Sequence, residues 1–411
     1  MKGGCIDKYF IYLSYKNNMQ LVKKMFIGIC FGFQGVIMLL FFLNINPQTE
    51  LVGITLKNNK PKVKLKEILL GNYQNNYDRW FSDEFPFRSY MIKIYDQIMY
   101  ISGGEVNKVY RGRNGDLHGT FWLDNYLISE MDDETLKEYF SNINYINEQL
   151  MLREKNFVYI ITPNKAEIRN NTLPFKYRLI KKKIKSETSK NKKKLLEFLN
   201  KKNILNIDLT FLIKEKEKNG EKMFPKTGIH WNQLGAAYGL IEILKKIQLS
   251  GINIQQVVIS NRTDSKIPTL NETDYKEILN VYYSKEDSPY PVVKLEYSNI
   301  GNQRRPSVFA MTTSFSNTIV EQFFFEFGMP FQKLKRLHYN QYYSELFYES
   351  NKLKGEKRLP GIQMNQVNYK EILEFYDILI IEHPSTDIPE AHVEFAKNFA
   401  NYLRSTKTNL K

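Results

Sequence analysis

Two segments of this chain hold the residue types needed for a base-activated hydroxyl nucleophile: Lys226-Thr227-Gly228-Ile229-His230-Trp231 and Thr312-Thr313-Ser314-Phe315. Ser314 follows the apolar run Ser307-Val308-Phe309-Ala310-Met311 and precedes residues with helical spacing. It therefore stands where a strand turns into a helix. The first N–H groups of a helix lack intrahelical partners and carry partial positive charge, so a hydroxyl there sits beside donors able to stabilise an oxyanion. Serine and threonine also cap helices with no chemical role. His230 just precedes Asn232, a plausible cap, and the Gly235-Ala236-Ala237 face lets that helix approach a sheet closely. An imidazole at such an edge can take the serine proton and return it to a leaving group. The competing reading of His230 is a satisfied polar residue of the core.

These residues need a scaffold. Residues 135–153 have helical spacing, and Phe157-Val158-Tyr159-Ile160-Ile161 runs into Thr162-Pro163-Asn164-Lys165 as a buried strand and turn. Ile204 to Asp208, Ser307 to Met311 and Ile378 to Ile381 read as further strands, with helices after Trp231 and Ser314. Strands alternating with helices predict an α/β fold whose parallel sheet is covered on both faces. Residues 248–304, rich in Tyr, Asn and Val, break this rhythm and are expected to form an insertion.

The 411 residues with a 42% apolar fraction are enough to bury a core, which excludes a disordered chain. A formal charge of +15 predicts attraction to anions. Location narrows which anions. From Met25 to Leu43 no residue is charged, and the run is long enough to cross a hydrocarbon layer of ~30 Å. Lys16, Lys23 and Lys24 precede it, so the positive-inside tendency keeps residues 1–24 in the cytoplasm and sends the chain beyond residue 43 outward. No Ala-x-Ala-like site follows, so the run reads as a membrane anchor rather than a cleaved signal. Residues 44–61 read as a linker, and 62–411 as an extracytoplasmic domain.

Cys5 and Cys30 both fall in or before the span, so the exported part has no disulfide. Its five histidines are scattered without metal-ligand spacing, and no metal or cofactor is expected. The lysines 181–183, 185, 190 and 192–194 suit either an anionic polymer or a solvated helical face. No nucleic-acid recognition motif is present.

Taken in order, Phe85-Pro86-Phe87-Arg88, Gly112-Arg113-Asn114-Gly115, Thr162-Pro163-Asn164-Lys165, Lys226-Thr227-Gly228-Ile229-His230-Trp231-Asn232, Thr313-Ser314-Phe315 and Asp377-Ile378-Leu379-Ile380-Ile381-Glu382 resemble the SGNH-hydrolase-like proteins of the alginate O-acetyltransferase group. The likeness spans most of the chain after residue 70. It implies an α/β/α sandwich with permuted motif order, the histidine preceding the serine. It further implies an extracytoplasmic O-acetyltransferase acting on an exopolysaccharide or cell-wall polymer, with a multi-pass membrane acyltransferase as acetyl donor and an anionic polysaccharide as acceptor. Ser314 and His230 would be catalytic.

Two positions depart from the family pattern. Gly228 stands where an aspartate is usual two residues before the histidine, and Thr312 where a glycine usually precedes the serine. For the ring-orienting group this leaves Asp208, at the end of a predicted strand, or a Ser-His dyad completed by a backbone carbonyl. The same residues serve an acetyl esterase, and the missing aspartate also fits a catalytically weakened polysaccharide-binding or scaffold subunit.

Overall fold

The computed structural model describes residues 4–43, 45–52, 58–184, 189–284, 289–298, 304–339, 342–349, 352–359 and 361–408. Lys185 of the lysine-rich stretch, residues 53–57 of the expected linker, and 285–288 and 299–303 of the expected insertion lie outside them. The chain divides into two compact units, Met1–Ile98 with Asn280–Tyr283, and Met99–Leu279 with Ser284–Lys411.

In the first unit, helix α1 runs Gly4–Phe42, and its stretch Val22–Phe42 is long and apolar enough to cross a membrane. The next few residues are not a loose tether. Asn46 Nδ2 donates to Glu84 Oε2 at 3.0 Å, Gln48 Nε2 to the Phe85 carbonyl at 2.8 Å, and the Phe87 N–H to the Pro47 carbonyl at 3.1 Å. These bonds tie the end of α1 to the far end of α3 (Asn72–Glu84), which follows the short helix α2 (Leu65–Leu69).

The second unit is built on one seven-stranded sheet. Its strands are β1 (Asn156–Thr162), β2 (Asn206–Asp208), β3 (Ser307–Thr312), β4 (Lys333–His338), β5 (Tyr342–Glu349), β6 (Lys352–Leu359) and β7 (Ile378–Pro384), in the spatial order β6-β5-β4-β3-β7-β1-β2. The five from β4 to β2 are parallel, as the strand-helix alternation predicts. Beyond β4 the sheet continues as an antiparallel hairpin of β5 and β6, which sequence rhythm did not reveal.

Strands covered on both faces read as continuous apolar runs because alternate residues enter opposite cores. Val158 and Ile160 of β1, Val308 and Ala310 of β3, and Ile378 and Ile380 of β7 join one core; it also takes Leu240, Leu244 and Ile247 of α6 (Gln233–Leu249). Phe157, Tyr159 and Ile161, Phe309 and Met311, and Leu379 and Ile381 join the other. There they meet α4 (Asp133–Met151), α5 (Lys190–Lys201) and α9 (Glu390–Thr408). The α/β/α layering thus follows from the period-2 exposure of three strands to two helical layers.

Close approach of α6 depends on two glycines. A Cβ at Gly235 would lie 2.7 Å from the Met223 carbonyl oxygen, and one at Gly239 would lie 2.8 Å from the Trp231 ring. The expected insertion contains an antiparallel ribbon, Val257–Ser265 against Tyr290–Tyr297, and between its strands the single-turn helix α7 (Asp274–Glu277).

Candidate active site

Ser314 caps the helix α8 (Phe315–Ile319), which continues through a π-helical stretch, Val320–Phe324, to Phe327. β3 ends two residues earlier, so the serine occupies the strand-to-helix turn expected from its flanking residues. Its Oγ–H donates to His230 Nε2 at 2.8 Å. The two residues are 84 positions apart in the chain, and the structure brings them together.

His230 sits in the loop leading to α6, whose cap Asn232 accepts the Gly235 N–H through its side chain at 2.9 Å. The ring is mostly buried and packs edge-on to Phe315, with centroids 5.1 Å apart. Next to it, the Trp231 indole N–H donates to the Phe315 carbonyl at 3.1 Å, fastening the histidine loop to the serine helix. Lys165, from the Thr-Pro-Asn-Lys turn after β1, donates to the carbonyls of Lys226 at 2.7 Å and Gly228 at 2.9 Å. That turn therefore holds the histidine loop by its backbone.

The carboxylate on the other ring nitrogen is Asp274. His230 Nδ1–H donates to its Oδ2 at 3.0 Å, while its Oδ1 accepts the Ile229 N–H at 2.7 Å. One side chain thus grips both the ring and the backbone before it, and a carboxylate at Nδ1 fixes the proton there, leaving Nε2 as acceptor. The Asp274 turn is stitched to the same loop. Thr227 Oγ1 donates to the Glu272 carbonyl at 3.0 Å, and the Tyr275 N–H donates to the Thr227 carbonyl at 3.0 Å.

Asp208, the candidate drawn from strand position, is engaged elsewhere. Its Oδ1 accepts the Thr210 N–H at 2.9 Å, and its Oδ2 lies 3.1 Å from Lys192 Nζ, a buried ammonium that also meets Glu167. Position alone put Asp208 forward, and a buried lysine claims it. Asp274 escaped sequence reasoning because it lies in residues 248–304, where no periodicity marks an element. The one local signal was Thr269 followed by Glu272, which forms a capping box and starts the turn carrying Asp274. Nothing in that signal points to His230.

Glu382, the last residue of the late apolar strand motif, lies fully buried behind the serine turn. Its Oε2 accepts the Thr313 N–H at 2.8 Å, and its Oε1 accepts the hydroxyls of Thr313 at 3.0 Å and Thr162 at 2.7 Å. Burial pushes its carboxyl up from the ordinary glutamate range, against the pull of these donors and of Arg336. Asn164 directs its side-chain N–H to Thr386 Oγ1 at 2.9 Å and accepts the Ala166 N–H, so it braces the turn after β1. A recess of about 10 Å³ opens among Trp122, Asn164, Lys165, Ile229, Tyr275 and Phe315, two of which are the chain neighbours of His230 and Ser314.

The lysine-rich stretch divides. Lys192 is buried and ion-paired, while Lys190 and Lys194 bridge to Glu130, and Lys194 also to Asp133. No group of metal-ligating side chains that could hold an ion occurs among the described residues.

No curated protein matches the chain. Among solved structures it is similar to the O-acetyltransferase domain of Pseudomonas putida AlgJ, at 13% identity over 73% of this chain and 99% of that one, with a TM-score of 0.42. It is also similar to Pseudomonas aeruginosa AlgX, at 14% identity over 72% and 67%, with a TM-score of 0.45. The third is Bacillus cereus PatB1, at 13% identity over 65% and 94%, with a TM-score of 0.39. Residues 117–294 match the family model of the SGNH hydrolase-like domain of acetyltransferase AlgX; His230 and Asp274 fall inside that match and Ser314 follows it. Across residues 117–294, then, the chain is similar to the SGNH hydrolase-like domain of acetyltransferase AlgX.

Proposed function

We propose that this protein is a membrane-anchored extracytoplasmic O-acetyltransferase that carries an acetyl group as an ester on Ser314 and passes it to a hydroxyl of an exopolysaccharide or cell-wall polymer. The observation that carries the reading is the chain Ser314 Oγ–His230 Nε2 and His230 Nδ1–Asp274 Oδ2, at 2.8 and 3.0 Å. Ser314 Oγ attacks the donor's acyl carbon while His230 Nε2 takes its proton, and the imidazolium formed is stabilised by Asp274. Collapse of the tetrahedral intermediate breaks the bond to the donor's leaving oxygen, which receives that proton. The sugar hydroxyl then repeats the sequence in reverse, giving its proton to His230 and releasing Ser314.

Charge on the oxyanion falls to the Ser314 and Phe315 N–H groups, because the N–H groups of Thr313, Ser316 and Asn317 are spent on Glu382 and on the carbonyls of Thr313 and Ser314. The carboxylate supplied by Asp274 supports an active enzyme despite Gly228. The apolar helix Val22–Phe42 supports anchoring, with a multi-pass acyltransferase as the partner that delivers acetyl groups outward. The excess of basic residues supports an anionic acceptor.

Incubating the protein with an activated acetyl ester and mapping it by mass spectrometry is expected to place acetyl on Ser314. Adding an oligosaccharide acceptor should shift the product from acetate to acetylated sugar. Turnover undiminished in Ser314→Ala would reject the assignment, and acetate as sole product with every acceptor would assign an esterase.

A further inference from the structure

The first unit holds a feature that acyl transfer does not use. Four large apolar side chains, Val63, Leu65, Leu69 and Leu70, are 61–78% exposed, and they alternate or adjoin with Lys60, Lys62, Lys64 and Lys66, which are exposed too. Glu67 is the only acidic residue between positions 58 and 77. Such a mixture is costly in water but suits the boundary between headgroups and acyl chains.

Contacts with the apolar helix set the depth of this segment. A span of the length of Val22–Phe42 matches the hydrocarbon thickness, so its final turn lies at the outer interface. There Phe41 packs edge-on against Phe81 of α3, with centroids 5.0 Å apart, and against Trp80 at 6.1 Å. Lys60 Nζ stands 4.9 Å over the Trp80 ring. Phe41, Ile45, Lys60, Tyr77, Trp80 and Glu84 line an open cleft of about 310 Å³. Tryptophan, tyrosine and lysine at that level are the side chains that anchor proteins to the headgroup layer.

We propose that residues 60–84 form a lipid-headgroup site, in which the lysines meet anionic phosphates, the exposed leucines and Val63 enter the upper acyl region, and a phospholipid headgroup occupies the cleft beside Trp80. This rests on the reading of Val22–Phe42 as a membrane anchor and adds a second attachment just outside it. The segment lies on the membrane rather than acting as a free spacer.

The test uses the full chain reconstituted in nanodiscs of phosphatidylcholine with phosphatidylglycerol, made with ordinary lipid or with lipid brominated high on the acyl chain. Subtracting the emission of Trp80→Phe isolates Trp80 from Trp122 and Trp231. Trp80 emission is expected to fall about two-fold in brominated anionic discs, and clearly less in Lys60→Gln/Lys62→Gln/Lys64→Gln/Lys66→Gln or in purely zwitterionic discs. Equal Trp80 emission in brominated and ordinary discs, with the protein co-eluting with the discs, overturns the headgroup site and leaves the anchor standing. Equal quenching in anionic and zwitterionic discs overturns the assignment of anionic phosphates. Failure of the chain to enter discs at all rejects anchor and headgroup site together.

Discussion

Glu382 accepts the backbone N–H of Thr313 at 2.8 Å, so the residue before the candidate nucleophile is held by a carboxylate from the neighbouring strand. Glu382 touches no reacting atom in this arrangement and acts by positioning. In Glu382→Gln the amide end presents donors to donors. The expected result is a loss of about 1–3 kcal/mol in stability, from donors left unpaired, and turnover reduced about tenfold as Ser314 drifts from His230. Denaturant titration and ester turnover measured together check this, and a folded variant with full turnover would contradict it.

Asp274 and Asp208 should respond in opposite ways. Asp274→Asn removes the acceptor that fixes the His230 tautomer, and acetylation of Ser314 is expected to slow by about 10² to 10⁴-fold with little change in stability. Asp208→Asn instead leaves Lys192 with a weaker set of partners, costing about 1–3 kcal/mol of stability while the acetylation rate of the folded protein is retained. Single-turnover acetylation followed by mass spectrometry, beside a denaturation curve for each variant, separates the two. Equal rate losses in both would refute the assignment of Asp274.

Acid should weaken the fold before it protonates most carboxylates. Burial holds His118 at about 3, His383 at about 4 and His392 at about 3, against an ordinary value of 6.5. Above pH 6.5 these rings are neutral in both folded and unfolded chains, and their contribution is fully present. As pH falls from 6.5 towards 4 the unfolded chain binds protons that the folded one refuses, so stability drops. Asp387, raised to about 6 by burial, acts the other way, since the folded chain keeps its proton between pH 4 and 6. Glu382 and Asp96, also raised by burial, act in the same direction as Asp387. The three fully buried histidines outweigh these carboxyls, and the denaturation midpoint is expected to be lower at pH 4.5 than at pH 7. A midpoint that rises on acidification would reverse the ledger.

Gly239→Val places a branched side chain against the Trp231 ring, where even a Cβ would lie 2.8 Å away. Overpacking of this kind costs about 1–3 kcal/mol. Because Trp231 also bonds the Phe315 carbonyl, the variant should lose turnover at temperatures where it remains folded. Thermal unfolding together with turnover below the transition gives the comparison.

The parallel part of the sheet was legible because Phe157–Ile161, Ser307–Met311 and Ile378–Ile381 are apolar on both faces, a pattern only a doubly covered strand sustains. The hairpin of β5 and β6 was not, since Tyr342–Glu349 and Lys352–Leu359 mix charges with apolar residues and carry no such run. At the site, Ser314 and His230 were legible from their flanks, a strand before one and a helix cap after the other. Asp274 was hidden for a physical reason. A side chain that acts across a loop contact needs no periodicity of its own, and a separation of 44 positions along the chain erases any spacing rule.

The placement of Asp274 in the ribbon-bearing excursion rather than on a sheet strand has a practical consequence for anyone reducing this protein to a minimal catalytic core. Excising residues 248–304 would leave the seven strands in place, yet it would strip the imidazole of its carboxylate and the Ile229 N–H of its acceptor in one cut. It would also take the buried Ile254, Val257, Val293 and Leu295 out of the core on that face of the sheet, so a trimmed version should lose stability together with the activation of its nucleophile.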